Sequence, residues 1–572
     1  MKHYHLFLFL IIFSIACKNN KTTTSSPEKA QEEIKAREEF HSHEAIAFED
    51  TLNLTLQHPF INDIRFNDII IKEMVQFYKQ NGYNTRWLYA ERHVELFDSY
   101  LRMLYDSRNY GLNPETYAYS TLIKTEEDLY NKAEISNAEI VELDKQITAS
   151  FLLFTKHLVQ GRVVDPSFEK KIWKIDSLTV NSVELLLKLS DEENLYNLIA
   201  SLQPQTEQYK KLKNKLSQLL KENSDNIAPI IIEDAKKFKV GYTDSNIVIL
   251  REKIQAFGYD FKNDSALNVV DSNLIKALMQ FQDDRGLNID GVPGKNTLKY
   301  LNMSKDDVID IIVLNMERMR WLNKDFGNEY IIVNIPAYKL NYFKNDSIIF
   351  SCKVIVGKEY NSTPIFMDYM EYLDFRPTWT VPSSIMTKEF IPKLRSNPNY
   401  YANRGFTLYE NGVAISPSAV NWYNIAGRNL KFVEKPSEKN SLGLVKFIFP
   451  NNMNIYLHDT PTDYLFDRNE RAFSHGCVRI EKPAELAYTV LQSNNKPWTM
   501  DEINEAMHTG DKPKRVLLDH ELLVQLVYLT AYIDKNDKLI IRNDVYGHDT
   551  NQLKIIRDNY GIKYAMPLKK VS

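Results

Sequence analysis

The spacing of apolar residues changes once along this chain of 572 residues, near Glu329. From about residue 60 to residue 233, apolar side chains recur every three or four residues, as at Ile147, Phe151 and Leu158, which is the spacing of amphipathic helices. From Glu329 the spacing falls to two in the segments YIIVNIPAYKLNYF and SIIFSCKVIVG, which indicates β-strands joined as a hairpin. The sequence therefore predicts a multidomain α+β protein, helical first and mostly β later.

Changes of pattern and composition predict several domains, since a single core rarely grows past ~250–300 residues. Residues 18–58 carry Lys, Thr, Ser and Glu with few aromatic side chains, so they indicate a disordered tether. The predicted segments are a signal peptide at 1–17, the tether at 18–58, a helical scaffold domain at 59–235, a three-helix unit at 240–303, a mostly β, sandwich-like domain at 325–550 with an insertion at 384–439, and a C-terminal tail at 551–572.

The N-terminus has the features of an export signal. A basic region begins at Lys2, and an apolar run follows at residues 6–15, too short for a bilayer core that needs ~20 residues. Small residues precede Cys17, an arrangement that resembles a bacterial lipobox; a cysteine placed there by chance is the alternative. The resemblance implies lipidation of Cys17 and anchoring to a membrane of the cell envelope, facing the periplasm. Lys18 rather than an aspartate follows, which favours the outer membrane.

Composition argues against several classes of function. The formal net charge is −4, so no broad basic surface is expected for nucleic acid. The three cysteines are far apart and form no CxxC pair, and metal ligands do not cluster, so neither a disulfide framework nor a zinc site is predicted. Cys352 shares its strand parity with Val354 and Val356, which predicts a core position.

Of the three cysteines, Cys477 is the candidate for catalysis, because Cys17 is assigned to a lipid anchor and Cys352 to the core. Cys477 follows His475 and Gly476 at the end of a polar loop, and fifteen residues separate His458 from Ser474. A cysteine is a good nucleophile as thiolate, which a nearby base or cation favours, and His458 at the end of a predicted strand is a candidate. One cysteine and one histidine alone would leave a structural interpretation open.

The segment HDTPTDYLFDRNERAFSHGCVRI resembles the catalytic motif of L,D-transpeptidases of the YkuD type, in which a histidine is followed after ~14–17 residues by Ser/Thr-His-Gly-Cys. The resemblance implies that Cys477 is the nucleophile and that His458 is the general base and acid. Three neighbours would shape the nucleophile loop, namely Ser474, His475 and Gly476. Backbone N–H groups around Gly476 and Cys477 would stabilise the oxyanion.

Arg479 follows the motif and has two possible roles. It would either orient a carboxylate of the substrate or brace the loop, and the sequence leaves both open.

The resemblance covers most of the chain. The segments RWLYAERHVELFDSYLRMLYDSRNYGLNPETY and KHLVQGRVVDP are similar to the scaffold domain of the large multidomain branch of this family. FQDDRGLNIDGVPGKNTL is similar to a peptidoglycan-binding domain of three helices, although a rigid spacer is the alternative. Trp379 and the insertion at 384–439 correspond to a capping subdomain, and VYLTAYIDKNDKLIIRNDVYG corresponds to a terminal strand pair.

What the resemblance implies is acyl transfer on peptidoglycan stem peptides, and so a part in cell-wall biogenesis. Cys477 would attack the donor stem, release the terminal D-Ala and pass the acyl group to a second stem as a 3→3 crosslink, without a cofactor. A covalent adduct with carbapenems is expected. Water as acceptor would give an L,D-carboxypeptidase, and a protein amine an attachment enzyme. A non-catalytic wall-binding lipoprotein is also possible, whereas residue order disfavours a papain-like protease.

Overall fold

The computed structural model describes residues 68–89, 92–93, 95–132, 136–163, 173–174, 178–189, 192–222, 228–232, 235–322 and 326–560. The predicted signal peptide and tether, with Cys17, lie outside these residues, so lipidation stays a prediction. Within the described ranges no helix has both the length and the apolar character needed to cross a membrane.

The first half of the chain is helical, as its apolar spacing predicts. The helices up to Arg320 are α1 Asp68–Gln80, α2 Glu95–Asp106, α3 Tyr119–Tyr130, α4 Asn137–Gln160, α5 Ser182–Lys188, α6 Glu192–Leu202, α7 Glu207–Lys221, α8 Asn246–Ala256, α9 Ser272–Asp284, α10 Lys295–Leu301 and α11 Lys305–Arg320. Five further helices lie in the second half, α12 Ser383–Ile385, α13 Ile391–Ser396, α14 Pro483–Ser493, α15 Met500–His508 and α16 His548–Tyr560.

Helix α4 is the centre of the scaffold domain. Ser136 and Glu139 form a capping box at its start, which satisfies free amides of the first turn. Eighteen of its side chains are buried, among them Phe151 and Phe154. The buried carboxylate of Asp144 accepts hydrogen bonds from the amides of residues 86–88, so one helix fixes the loop that packs against it.

Helices α8, α9 and α10 form the compact unit that the turn signals predict. Asp271 caps α9 by accepting from the Leu274 amide at 2.8 Å, and Arg251 from α8 pairs with the same carboxylate at 2.8 Å. The core of this unit continues into α7, α11 and the two C-terminal strands. The three helices are therefore packed into the rest of the molecule.

The second half of the chain contributes most of the strands. These are β1 Leu88–Tyr89, β2 Arg92–His93, β3 Trp173–Lys174, β4 Glu329–Asn334, β5 Lys339–Lys344, β6 Ser347–Gly357, β7 Ile365–Phe375, β8 Trp379–Thr380, β9 Phe406–Glu410, β10 Val413–Ile415, β11 Leu430–Glu434, β12 Val445–Ile448, β13 Leu457–His458, β14 Ala472–Ser474, β15 Val478–Ile480, β16 Lys514–Val527, β17 Ala531–Ile533 and β18 Leu539–Ile541.

Eight of these strands pair in a closed circuit. Their order is β12, β13, β15, β6, β5, β4, β16 and β7, and β7 pairs back with β12. Alternate side chains fill one shared core, which includes Cys352 at 5% exposure. The predicted α+β class and the core position of Cys352 are thus confirmed, and burial raises the pKa of the Cys352 thiol to about 12.

The insertion forms a small subdomain of its own, called the cap here (residues 379–434). Strands β10, β9, β11 and β8 pair in that order, and Phe390, Phe406 and Phe432 lie in its separate core. The sheet begins at Trp379, five residues before the predicted start at 384.

Two details differ from the predicted pattern. The first apolar run near Glu329 is split, since a turn at residues 335–338 separates β4 from β5, and Tyr338 has a positive φ of 51° there. The predicted tail at 551–572 begins inside a helix, because α16 continues to Tyr560, buries Ile556 and pairs Arg557 with Asp310.

Candidate active site

Five charged or titratable side chains lie in one line across five neighbouring strands. Register pairs Arg515 of β16 with Asp374 of β7, Asp374 with Lys446 of β12, Lys446 with His458 of β13, and His458 with Arg479 of β15. We call this line the site row. Directly paired residues on adjacent strands share a face of the sheet, so the five side chains point the same way.

Cys477 lies beside the site row. It precedes β15 by one residue, and Arg479 is two residues further on, so Cys477 faces the same side as Arg479 and diagonally across from His458. The intervening residue, Val478, and its partner Leu457 are fully buried on the other face. The fold therefore brings the predicted nucleophile and the predicted base to neighbouring strands.

Hydrogen bonds hold the loop before the nucleophile. The Ser474 hydroxyl donates to the Cys477 carbonyl at 2.6 Å and accepts from the Gly476 amide at 3.1 Å. Gly476 has a φ of 121°, a conformation that side-chain-bearing residues rarely adopt. Because the Gly476 amide is bound within the loop, the expectation that it stabilises an oxyanion is not supported in this state, and the Cys477 amide remains the candidate.

Residues from distant parts of the chain support the same loop. Thr363 donates through its hydroxyl to the Gly476 carbonyl at 2.8 Å and accepts from the Gly357 amide at 2.8 Å. The Tyr546 hydroxyl accepts from the Thr363 amide at 3.2 Å and donates to the Gly357 carbonyl at 2.8 Å. The C-terminal segment therefore contributes to the position of Cys477.

Cys477 is partly exposed, and the groups around its sulfur shift the pKa of the thiol in opposite directions. Its thiol donates to the Asn454 carbonyl at 3.5 Å. Burial raises the pKa of the thiol above its ordinary value, while the amide and hydroxyl of Tyr456 and the charges of Lys446 and Arg479 act to lower it. The resting group is consequently a neutral thiol with thiolate-stabilising groups around it.

His458 is buried, with 3% of its surface exposed. Its Nδ1 lies 2.5 Å from the Asp459 carbonyl. Burial and the charges of Arg479 and Lys446 lower the pKa of the imidazole to about 3, against the opposing effect of the Asp459 and Leu442 carbonyls. Nδ1 therefore carries the proton, which makes Nε2 the acceptor of a neutral ring.

No hydrogen bond joins His458 to Cys477 within the described chain: Nδ1 of His458 is bound to the Asp459 carbonyl, and the thiol donates to the Asn454 carbonyl. A catalytic hydrogen bond between nucleophile and base is often absent without substrate.

His475 and Arg479, the remaining predicted site residues, contact different elements of the fold. His475 is exposed, and its Nε2 lies 2.6 Å from Glu389 Oε1 in the cap. Arg479 donates through Nη1 to the Thr462 hydroxyl at 3.1 Å, whereas its Nε is buried without a partner within the described chain. The sequence predicted His475 as support for the loop and left two roles open for Arg479; the contact of His475 with the cap was not predicted.

Sequence reasoning missed Tyr456 and Lys446. The Lys446 ammonium lies 3.8 Å from the centroid of the Tyr456 ring, and the Tyr456 and His458 rings are 5.7 Å apart. Trp379 of the cap acts on the Tyr456 hydroxyl by hydrogen bonding. The segment NIYLHD did contain a signal, because residues two apart in a strand share a face. Among the described residues, no group of three or more His, Cys, Asp or Glu could hold a metal ion.

Three parts of the chain match models of known protein families. Residues 328–512 match the model of the L,D-transpeptidase catalytic domain, residues 72–216 that of a scaffold domain, and residues 243–301 that of a "Putative peptidoglycan binding domain". A relative from Haemophilus influenzae, described as "Putative L,D-transpeptidase", is 31% identical over 265 residues, which are 46% of this chain and 53% of that protein. The chain thus matches about half the length of that relative.

Solved structures with similarity include two L,D-transpeptidases. One, from Xylanimonas cellulosilytica, is 12% identical with a TM-score of 0.17, over 53% of this chain and 100% of its own. The other, from Stackebrandtia nassauensis, is 14% identical with a TM-score of 0.20, over 52% of this chain and 96% of its own.

Proposed function

We propose, from the match of residues 328–512 to the L,D-transpeptidase catalytic domain, that this chain joins peptidoglycan stem peptides through an acyl-enzyme on Cys477. The donor is a tetrapeptide stem that loses its terminal D-Ala, and the acceptor is the side-chain amine of a second stem. The product is a 3→3 crosslink. No cofactor takes part in this chemistry.

One observation carries the proposal. Cys477 ends a loop that Ser474 and Thr363 hold by hydrogen bonds, and it lies on the same face of the sheet as His458 on the adjacent strand. A nucleophile fixed by its backbone and placed beside a neutral imidazole is the arrangement that acyl transfer requires. The buried position of His458 and the partial burial of Cys477 also limit access of water to the acyl-enzyme.

In the first half-reaction Nε2 of His458 takes the thiol proton as sulfur attacks the carbonyl of the third residue of the donor stem. The C–N bond to D-Ala then breaks, and the imidazolium returns the proton to the leaving amine. The second amine attacks the thioester, gives its proton to His458, and expels Cys477 as thiolate, which takes that proton back. The Cys477 amide is the proposed donor to the oxyanion.

Arg479 supplies a second part of the proposal. Its buried Nε has no partner in the described chain, and its Nη1 is bound by Thr462, so the guanidinium is held in place with one donor free. A free donor on a fixed guanidinium fits a carboxylate of the donor stem. This favours the first of the two roles that the sequence left open.

The decisive experiment is incubation of the protein with purified disaccharide-tetrapeptide, followed by mass spectrometry of the products, beside Cys477→Ala and His458→Gln variants. We expect a crosslinked dimer and free D-Ala from the wild type, and none from Cys477→Ala. Free tripeptide without dimer would instead identify a carboxypeptidase. The absence of both product and acyl-enzyme would contradict catalysis and favour a wall-binding role.

A carbapenem provides a check that needs no acceptor. We expect the intact mass to increase by one inhibitor molecule, with the adduct on the peptide that contains Cys477. An unchanged mass in the folded wild type would count against a reactive thiol at this position.

A further inference from the structure

Lys446 holds a positive charge close to the nucleophile without being part of the recognised motif. It lies between Asp374 and His458 in the site row, on the face that Cys477 shares. Its ammonium is 3.8 Å from the centroid of the Tyr456 ring, well inside the ~6 Å range of a cation–π contact. Burial lowers the pKa of Lys446, against the opposing effects of Cys477 and Asp374.

The acidic neighbour of Lys446 is bound elsewhere. Arg515 donates to both carboxylate oxygens of Asp374, from Nε at 2.8 Å and from Nη2 at 2.9 Å. Such a bidentate pair satisfies the carboxylate in a fixed geometry. Lys446 makes no ion pair within the described residues, so its charge remains directed at Tyr456 and the thiol beyond it.

The groups around Cys477 explain why its thiolate would depend on the positive charge of Lys446 for stabilisation. His458 stays neutral because burial lowers its pKa to about 3, so a resting thiolate would have no imidazolium partner. The second cation, Arg479, is held by Thr462. The titratable and charged groups that face the thiol are therefore Tyr456, Lys446, Arg479 and His458, with Asp374 and Arg515 behind Lys446 and Tyr464 beside Arg479.

We propose that Lys446 is a positioning residue that acts through Tyr456: its ammonium polarises the phenol, which donates a hydrogen bond to the Cys477 sulfur as the thiol proton passes to His458. A cation on the face of a phenol ring makes its O–H a stronger donor, and a stronger donor favours the charged form of the sulfur. The proposal rests on the proposed function only in taking Cys477 as the nucleophile.

The test follows the ionisation of the thiol and needs no peptidoglycan. The full chain is treated with iodoacetamide over a range of pH, and alkylation of the peptide that contains Cys477 is followed by mass spectrometry, with buried Cys352 as an internal reference. The variants are Lys446→Met, Lys446→Gln and Lys446→Arg. Lys431→Met, on the exposed side of cap strand β11, is the matched control.

Loss of the charge should shift the alkylation profile of Cys477 to higher pH by about one unit, which slows the reaction near neutral pH roughly tenfold. Lys446→Arg and Lys431→Met should keep the wild-type profile. Two neutral variants are included so that misfolding of one still leaves a measurement. A Lys446→Gln or Lys446→Met profile that superimposes on the wild type overturns the proposal, as does an equal shift in Lys431→Met.

A double variant tests the route through the phenol. Tyr456→Phe alone should shift the profile in the same direction, and Lys446→Met added to it should shift it little further, because the hydroxyl is already missing. Fully additive shifts would overturn the role of Tyr456. Because wild-type alkylation is measured independently of crosslinking, a failure of the proposed function would not be mistaken for a failure of this inference.

Discussion

Ser474 shows how much of the site depends on one hydroxyl. It bonds to the carbonyl of Cys477 and to the amide of Gly476, so it determines the backbone geometry on both sides of the nucleophile. It is buried, so water does not replace these bonds if the hydroxyl is lost.

We expect Ser474→Ala to lower kcat/KM roughly 10- to 100-fold, since small displacements of a reacting group have effects of that size. The free energy of unfolding should fall by about 1–3 kcal/mol, because the Gly476 amide loses its acceptor. Crosslinking kinetics and urea unfolding measure the two effects. Ser418→Ala, exposed on the cap, is the control and should change neither; wild-type kinetics in Ser474→Ala would contradict this role.

The pH dependence follows from the shifted pKa values of His458 and Cys477. The pKa of His458 is lowered to about 3 and that of Cys477 is raised, so neither group changes charge in the neutral range. We therefore expect kcat/KM to be flat there, without the step near ~6.5 that an ordinary imidazole would cause. A pH–rate profile with its acidic limb near that value would show that His458 is more solvated than the structure indicates.

Some residues of the site could be predicted from the local sequence, and others could not. Cys477, His458 and Ser474 were found because their spacing along the chain forms a motif. Lys446 and Asp374 were not found, because their nearness to Cys477 depends on the pairing of β7, β12 and β13. The register between strands that are distant in sequence cannot be predicted from a local pattern.

At the scale of elements, the cap is joined to the nucleophile loop at a defined point. Glu389, in the π-helical turn Met386–Phe390, contacts His475. A second contact links Trp379 to Tyr456. The cap therefore contacts both the loop that leads to Cys477 and the segment that leads to His458.

Loss of the Glu389 contact should loosen the cap without disturbing the sheet. For Glu389→Gln we expect KM for the tetrapeptide stem to rise several-fold, with kcat and the unfolding midpoint little changed, since exposed pairs contribute about 0–1 kcal/mol. Glu371→Gln, exposed on β7, is the matched control. A double cycle with His475→Asn should be non-additive, and simple additivity would contradict a shared contact.

The sequence predicted the insertion but not its sheet. Strands β8 to β11 are two to five residues long, too short for a convincing alternation, and prolines interrupt the region between them. The helices of the scaffold and of the three-helix unit were predicted well because their apolar spacing extends over several turns.

At the scale of the whole molecule, one buried carboxylate connects α11 to the chain that follows α4 of the scaffold domain. Glu317 of α11 accepts from the backbone and side chain of Arg162, and it pairs with Arg320 at 3.0 Å. Burial acts to raise the pKa of Glu317, but the charges of Arg162 and Arg320 outweigh it and the pKa ends below its ordinary value. Stability from this group is therefore present above the ordinary glutamate pKa and is lost as pH falls towards the lowered value.

Glu317→Gln should lower the free energy of unfolding by about 3–5 kcal/mol, because two buried guanidinium groups lose their counter-charge. Urea unfolding at neutral pH measures it. The control is Glu207→Gln, whose exposed pair with Lys210 should contribute less than about 1 kcal/mol. Equal losses in the two variants would show that Glu317 does not hold α11 to the scaffold domain.

The C-terminal part of the chain belongs to the catalytic domain as fully as the motif does. The family match ends at residue 512, yet β16 follows it and lies between β4 and β7 in the circuit. A chain that ends at residue 512 should fail to unfold cooperatively and should precipitate, because two inner strands would expose unpaired edges. Circular dichroism melting of this chain beside the full one tests it, and a cooperative transition would contradict the expectation.

The position of β16 also has a consequence for the time course of folding. Strands β4 and β7 are synthesised long before their common partner, and their pairing edges stay open until the chain has been made as far as Val527. Contacts between residues so far apart in sequence form slowly. The edges of β4 and β7 are consequently the surfaces on which an incomplete chain would first associate with its neighbours, and a holding chaperone would be most useful at that stage.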